Sequence, residues 1–433
     1  MANFRPPSFL RAGNPVFVVW CMVASFGVYF CMYAFRKPFN VGLYSGLTLW
    51  GVGYKSVLIL SQVFGYMLSK FMGIKVISEL QPSARIKLII FLILVAEVAL
   101  LLFGVVPHPY NFIFLFINGL PLGMVYGVVF SFLEGRRVTE MIAMGLSVSI
   151  IIASGILKTI YIQVHALFPT VSEFWMPALM GLIFFFPFLL FVRMLAMIPP
   201  PDEKDLALRS QRAPMTNESK RKVLREFWFP VVCFIVCYSL LATTRDFRDN
   251  FAVEIWNEIQ PGWTGSVLAT TEMAAGLVVL LFIGGLSFIR DNRAGFRMTN
   301  LITFAGLAIS GGATALFTLG LTTPYVWMLF IGIGMFLSYT AIQTVVFERM
   351  IALFRIQANA GFFMYLCDSI GYFGSVALLL FKEFFMQDID WSSALIRFIG
   401  IQTIIGLMLL IAVNVYFHRR ARGADLVTPN PVS

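Results

Sequence analysis

The sequence predicts an all-α membrane protein, about twelve transmembrane helices arranged as two six-helix bundles. Three observations carry that prediction. Of the 433 residues, 59% are hydrophobic and 12% charged, with a mean hydropathy of +0.84, values foreign to a soluble domain. Runs of roughly 20 apolar residues, the length that crosses ~30 Å of hydrocarbon, recur along the whole chain. The longest polar stretch, Pro199 to Glu226, divides these runs six and six. The expected parts are an N-terminal bundle over 1–198, a cytoplasmic linker over 199–226 and a C-terminal bundle over 227–433.

In chain order the apolar cores run from Val16 to Phe35, Leu49 to Met72, Ile86 to Val106, Phe112 to Leu133, Ala143 to Val164 and Met176 to Met197. After the linker come Pro230 to Phe251, Ser266 to Phe288, Leu301 to Leu319, Pro324 to Phe347, Gly361 to Phe381 and Ala394 to Phe417. All five cysteines (Cys21, Cys31, Cys233, Cys237, Cys367) fall inside these cores and read as small buried apolar residues rather than disulfides or metal ligands. The segment from Met1 to Asn14 carries Arg5 and Arg11 and no small-residue cleavage site, so the first core is expected to stay in the membrane.

Basic residues set the orientation. They collect at the N-terminus, after the second core (Lys75, Arg85, Lys87), after the fourth (Arg136, Arg137), in the linker, after the eighth (Arg290, Arg293, Arg297), after the tenth (Arg349, Arg355) and at the C-terminus (Arg419, Arg420, Arg422). The opposite loops are short and neutral or acidic, as at Asp388 and Asp390. Both termini are therefore expected in the cytoplasm of a cell whose inner membrane holds the protein, and the net charge of +10 needs no nucleic acid to explain it.

The first core ends in Tyr29-Phe-Cys-Met-Tyr33-Ala-Phe-Arg36-Lys37-Pro-Phe39. On a helix, Tyr29, Tyr33 and Arg36 stand at i, i+4 and i+7 and share one face. A guanidinium fork fits a phosphate or carboxylate two bonds at a time, and phenols add single hydrogen bonds around it. The same residues also fit an arginine snorkelling into headgroups beside an interfacial aromatic belt. The seventh core favours the interior site. From Pro230 to Thr244 there are only 15 residues, about 22 Å of helix, so the helix must continue through Thr244-Arg245-Asp246-Phe247-Arg248-Asp249 at membrane depth. An arginine there is costly unless it faces the bundle interior and is paired.

Internal repeats support two similar halves. Phe35-Arg36-Lys37-Pro38-Phe39 recurs as Phe247-Arg248-Asp249-Asn250-Phe251, and Ser56-Val57-Leu58 recurs as Ser266-Val267-Leu268, which sets Gln62 opposite Glu272. The fourth and tenth cores both end in Glu and Arg, at Glu134 and Arg136 and at Glu348 and Arg349.

These residues resemble the major facilitator superfamily and, within it, the organophosphate:phosphate antiporters that exchange glycerol phosphate or hexose phosphates for inorganic phosphate. Tyr29-x3-Tyr33-x2-Arg36-Lys37 looks like that family's tyrosine-tyrosine-arginine-lysine segment. Tyr66-x2-Ser69-Lys70-Phe71 looks like its second-span segment and leads to Glu79, where the family has a cytoplasmic acid. Glu272-x-Ala274-x-Gly276, Tyr339 and Gly371-Tyr372-x-Gly374-Ser375 are similar as well. The resemblance implies that Arg36 and one of Arg245 or Arg248 clasp a phosphate, with Lys70 adding charge and Tyr29, Tyr33, Tyr66, Tyr339 and Tyr372 hydrogen-bonding around it. The repeat selects Arg248 as the second arginine, whereas distance to Glu272 suits Arg245. Lys37 is implied to pair with Asp249 and Glu272 and to let go as the halves rock.

Two departures bear on the substrate. Where the family has a histidine in the fifth span, this chain has Ser147, Ser149, Ser154 and Gly155, while His165 lies farther out as an interfacial residue. The fifth span instead carries Lys158 and the eleventh Asp368, either a structural pair or a lysine beside a proton-carrying acid. Nucleotide-binding loops, paired-histidine metal signatures and nucleophile elbows do not occur. The sequence therefore points to a carrier, not an enzyme, and to no cofactor. The expected partners are a small anionic solute and the lipid bilayer, and the chain is expected to work as a monomer. The alternatives are a proton-coupled symporter or exporter using Glu272 or Asp368, and a transporter-like membrane sensor.

Overall fold

The structure, a computed structural model, describes residues 15–78, 80–133, 139–200, 221, 223, 225–286, 288–289, 291–354, 360–385 and 390–425. Arg5, Arg11, Glu79, Glu134, Arg136, Arg137, Arg290, Arg355 and Asp388 lie outside the described residues, as do most of the 199–226 linker and the side chains of Lys75, Ser147 and Arg422.

Among the described residues, eleven helices are long and apolar enough to cross a membrane. The first six are α1 (Pro15–Ala34), α2 (Tyr54–Ser78), α3 (Arg85–Val105), α4 (Phe112–Phe130), α5 (Thr139–Leu167) and α6 (Met176–Ala196). Then come α7 (Trp228–Asn250), the short α8 (Ala252–Ile259), α9 (Ser266–Leu286), α10 (Asn292–Thr318) and α11 (Pro324–Ala341). A π-helical turn, Ile342–Val346, joins α11 to α12 (Phe347–Phe354), and α13 (Ala360–Phe385) and α14 (Trp391–Asp425) complete the chain. The expected span from Gly361 to Phe381 falls on α13, which is not among the eleven. Local chemistry explains several boundaries. Asp291 caps α10 by accepting from the Ala294 amide at 2.8 Å, and Thr323 caps α11 ahead of Pro324.

The second core starts later than its composition suggests. Thr48–Leu49 (β1) and Val52–Gly53 (β2) form a two-stranded hairpin, with Trp50 at φ +55° and Gly51 at φ +76°. A two-residue loop with both φ values positive matches the strand twist, and it holds Leu49 out of the helix that opens at Tyr54.

Two compact units result. Unit 1 comprises Met1–Arg212, Phe247–Ser287 and Val376–Ala394; unit 2 comprises Ala213–Asp246, Phe288–Ser375 and Leu395–Ser433. Within unit 1, α2 and α4 approach through small residues: a β-carbon on Gly65 would lie 2.2 Å from the Phe116 carbonyl, and one on Gly119 2.3 Å from that of Gln62. Within unit 2, α10 and α11 do the same, Gly306 and Gly334 each facing the other's carbonyl at under 3 Å from a built β-carbon. Such close backbone approach is how helices associate where lipid removes any hydrophobic driving force.

Candidate functional site

The segment from Tyr29 to Phe39 is broken where a single helix is expected. Pro38 has no amide hydrogen and disfavours helical backbone before it, so α1 stops at Ala34, and a short 3₁₀ turn, Pro38–Val41, follows. Arg36 and Lys37 stay close to helical through amide bonds back to the Tyr33 carbonyl at 3.0 and 2.9 Å. The break frees carbonyls inside the membrane, where each must find a donor. Asn118 on α4 donates to the Phe35 carbonyl at 3.1 Å, and Gln62 on α2 donates to that of Arg36 at 3.0 Å. Gln62 also donates to Asn118 at 2.8 Å, and Asn118 reaches the Ala96 carbonyl on α3 at 3.0 Å. Two helices, α2 and α4, thus clamp the backbone that carries Arg36, and α3 anchors the Asn118 amide.

The clamp aims Arg36 at rings. Its guanidinium lies 3.8 Å from the centroid of Tyr66 and 5.8 Å from that of Tyr33, and Lys70 is 5.5 Å from both Tyr66 and Tyr126. Tyr29 meets Tyr33 and Tyr126 edge-on at 5.5 and 5.6 Å. Arg36 is 8% exposed, so the snorkelling geometry is not adopted. Two cations on tyrosine faces, with phenols nearby, form a partly dry positive centre inside unit 1.

Beside it lies an ion-pair network, also inside unit 1. Asp249 takes Lys37 at 2.5 Å on one carboxylate oxygen and Lys158 at 2.7 Å on the other, where Ser154 also donates at 2.5 Å. Lys158 further donates to the Asp249 backbone carbonyl. Gly155 brings α5 close to α9, since a β-carbon there would stand 2.3 Å from the Leu268 carbonyl. Its neighbours Ser154 and Lys158, four residues apart, turn one face to Asp249. Arg248 pairs with Glu272 at 2.6 Å. Asn250 accepts from Lys37 at 3.0 Å and from Asn40 at 2.9 Å, Lys55 pairs with Glu254, and Ser56 donates to Glu383 at 2.5 Å.

Several expected pairings are corrected. Glu272 is taken by Arg248 rather than by Lys37, because α9 brings it beside the end of α7, and Lys37 goes to Asp249. Arg248, the arginine that the repeat selects, is engaged in the ion pair with Glu272, and the expected Lys37–Asp249 pairing is present. Lys158 is taken by Asp249 rather than by Asp368. The repeat itself is realised in space. Lys37 and Asp249, equivalent in the two halves, meet each other, while equivalent Gln62 and Glu272 each hold one of the equivalent arginines, the first by its carbonyl and the second by its guanidinium.

Unit 2 contains a second polar cluster. Arg245 pairs with Asp246 at 2.8 Å and lies 4.2 Å from the ring centroid of Tyr339. Asp246 accepts from Ser375 at 2.9 Å. The phenols of Tyr339 and Tyr238 are 2.8 Å apart, and Tyr238 donates to Asp368. Tyr372 follows Asp368 by one turn of α13 and is half-buried. His165 packs against Tyr161 at 6.1 Å between centroids.

Sequence reasoning missed Asn118, Gln62 as a clamp, Asn40, Asn250, Tyr238 and Glu97. An uncharged amide inside an apolar run was the available signal for Asn118. Tyr238 had none, since one more tyrosine in a greasy helix reads as packing.

The chain belongs to the family DUF5690, described as a family of unknown function, whose model matches residues 38–420. No curated protein matches it. Among solved structures it is similar to the nucleoside transporter NupG, with 15% identity and a TM-score of 0.60 over 92% of this chain and 98% of that one. It is also similar to a bacterial homologue of the human drug peptide transporters PepT1 and PepT2, with 13% identity and a TM-score of 0.62 over 94% and 98%. A bacterial homologue of the human lysosomal transporter Spinster, inward-facing and unoccupied, gives 11% identity and a TM-score of 0.59 over 97% and 100%. At such identities the likeness establishes the fold alone, a helical membrane-protein fold shared along nearly the whole length of each chain.

Proposed function

We propose that this member of the DUF5690 family is a secondary transporter that carries a small organic anion by alternating access, with a phosphate ester exchanged for inorganic phosphate as the preferred substrate pair. The observation that carries the proposal is the clamped, tyrosine-backed Arg36 with Lys70 beside it, a buried positive centre built for a tetrahedral or planar oxyanion. Arg245 on Tyr339 repeats the arrangement in unit 2, and we assign both arginines, with Lys70, Tyr29, Tyr33, Tyr66, Tyr339 and Tyr372, to anion recognition. The fold likeness to transporters of nucleosides and peptides supports the transport class, and the resemblance to organophosphate:phosphate antiporters supports the anion. Counterflow in proteoliposomes across phosphate esters, carboxylates and neutral sugars tests the assignment.

The proposed architecture is twelve spans, six on each side of the 199–226 linker, in a monomer of the inner membrane with both termini in the cytoplasm. In that orientation the Lys37–Asp249–Lys158 contacts lie toward the outer face and must part for the site to open outward. An anion bound at the Arg36 centre neutralises its charge, so the loaded carrier crosses faster than the empty one and exchange outruns leak. A reporter after Ser433 and another inserted near Ser210 should both register cytoplasmic. Opposite sides for the two would overturn the six-plus-six arrangement.

A proton-coupled mechanism is the second reading, favoured by the hydrogen-bonded run from Tyr339 through Tyr238 to Asp368. Glu272 separates the two readings. As the partner of Arg248 it is a gate residue, so Glu272→Gln should slow exchange several-fold while leaving its pH dependence unchanged. Loss of a proton-driven uphill component in that variant would favour symport.

A further inference from the structure

Glu97 is a carboxylate of unit 1 that none of these contacts uses. It sits midway along α3, whose other charges, Arg85 and Lys87, lie in its first turn, about 15 Å away along the axis. The residue is 5% exposed, and neither Oε1 nor Oε2 has a hydrogen-bond partner among the described residues. Its head group rests against α6 at Gly181, where a β-carbon would stand 2.0 Å from Oε2 and 3.1 Å from the Phe35 ring. Glycine leaves the space that the carboxyl fills.

Among the described residues, the elements around Glu97 offer no compensating charge. α6 carries one charged side chain, Arg193, about 18 Å along the axis from Gly181. α4 carries one titratable side chain, Tyr126, and its amide at Asn118 is already given to the Phe35 and Ala96 carbonyls. The 3₁₀ turn Pro82–Ala84 before α3 has none. At the end of α1, Phe35 faces the contact while Arg36 stacks on Tyr66. An ionised carboxylate is strongly disfavoured in a membrane interior without a partner, whereas the neutral acid is tolerated.

We propose that Glu97 is a proton-binding site of the membrane interior, resting as the neutral carboxylic acid in the α3–α6 contact and exchanging its proton with water when that contact opens. The ligand is the proton itself. The inference stands apart from the anion reading, and its test needs no solute.

The test uses the full-length protein in liposomes treated with dicyclohexylcarbodiimide, a lipid-soluble reagent that requires a protonated carboxyl. The acid's proton moves to a carbodiimide nitrogen, its oxygen bonds the central carbon, and an acyl shift to nitrogen leaves a stable N-acylurea. At about pH 7.5 ordinary glutamates, with values near 4.3, are ionised and unreactive. Peptide mass spectrometry should nevertheless map an adduct to Glu97, absent in Glu97→Gln. The infrared spectrum should contain an unionised-carboxyl band that the same substitution removes. If Glu97→Gln does not fold, labelling of the wild-type chain at that pH decides alone. Labelling of Glu97 only near about pH 4 to 5, where any glutamate is protonated, would overturn the proposal, as would no adduct there at all.

Discussion

Arg36→Lys is expected to weaken binding of inorganic phosphate and phosphate esters by about one to two orders of magnitude, equivalent to one charge-assisted hydrogen bond of ~1.5 to 3 kcal/mol. A lysine keeps the charge but offers a point ammonium in place of a planar fork, so it cannot make two parallel bonds to an oxyanion. The guanidinium carbon also lies 3.8 Å from the Tyr66 ring centroid, a contact that a planar guanidinium makes over a wider area than a point ammonium. The fold should survive, because Asn118 and Gln62 hold this segment through the backbone carbonyls of residues 35 and 36, which the substitution leaves in place. Binding and exchange by the purified variant, measured beside the parent, check the expectation. Equal affinity in the two proteins would remove Arg36 from the site.

Asp249→Asn should have the largest effect on stability, about 3 to 5 kcal/mol, because it strips one partner from a buried ion cluster. Two ammoniums share this carboxylate, Lys37 and Lys158, whose side chains are 7% and 2% exposed. Neutralising the acid removes the carboxylate that both ammoniums share and leaves two like charges close together. Thermal unfolding in detergent should show a large loss for Asp249→Asn and partial recovery in Lys158→Met/Asp249→Asn, where one stranded cation is gone. A double variant no more stable than the single one would mean that Lys158 is not held by Asp249.

Much of this arrangement was legible in the chain because it depends on local period and length. Apolar runs marked the helices, and the shortness of the stretch from Pro230 to Thr244 correctly required α7 to continue through Arg248 to Asn250. The family resemblance implied that Lys37 pairs with Asp249, and the two meet. What the chain order did not reveal were partners chosen by which helices touch. Glu272 of α9 meets Arg248 and Lys158 of α5 meets Asp249, both near the end of α7 and far from their partners along the chain. The break at Pro38 was written in the sequence but outweighed by the appealing spacing of Tyr29, Tyr33 and Arg36. Its compensation by Asn118 and Gln62 was not, since neither residue lies near it in the chain. The Trp50-Gly51 turn shows the same limit on a smaller scale, because hydrophobicity alone counts Leu49 and Trp50 as membrane-spanning residues.

Proteoliposomes loaded with labelled phosphate test obligatory exchange of an anion through the Arg36 centre. Efflux should be slow into buffer that lacks transportable anion, should accelerate many-fold when phosphate or a phosphate ester is added outside, and should ignore neutral sugars. Efflux equally slow with every anion outside, or accelerated by neutral sugars alone, would contradict the account.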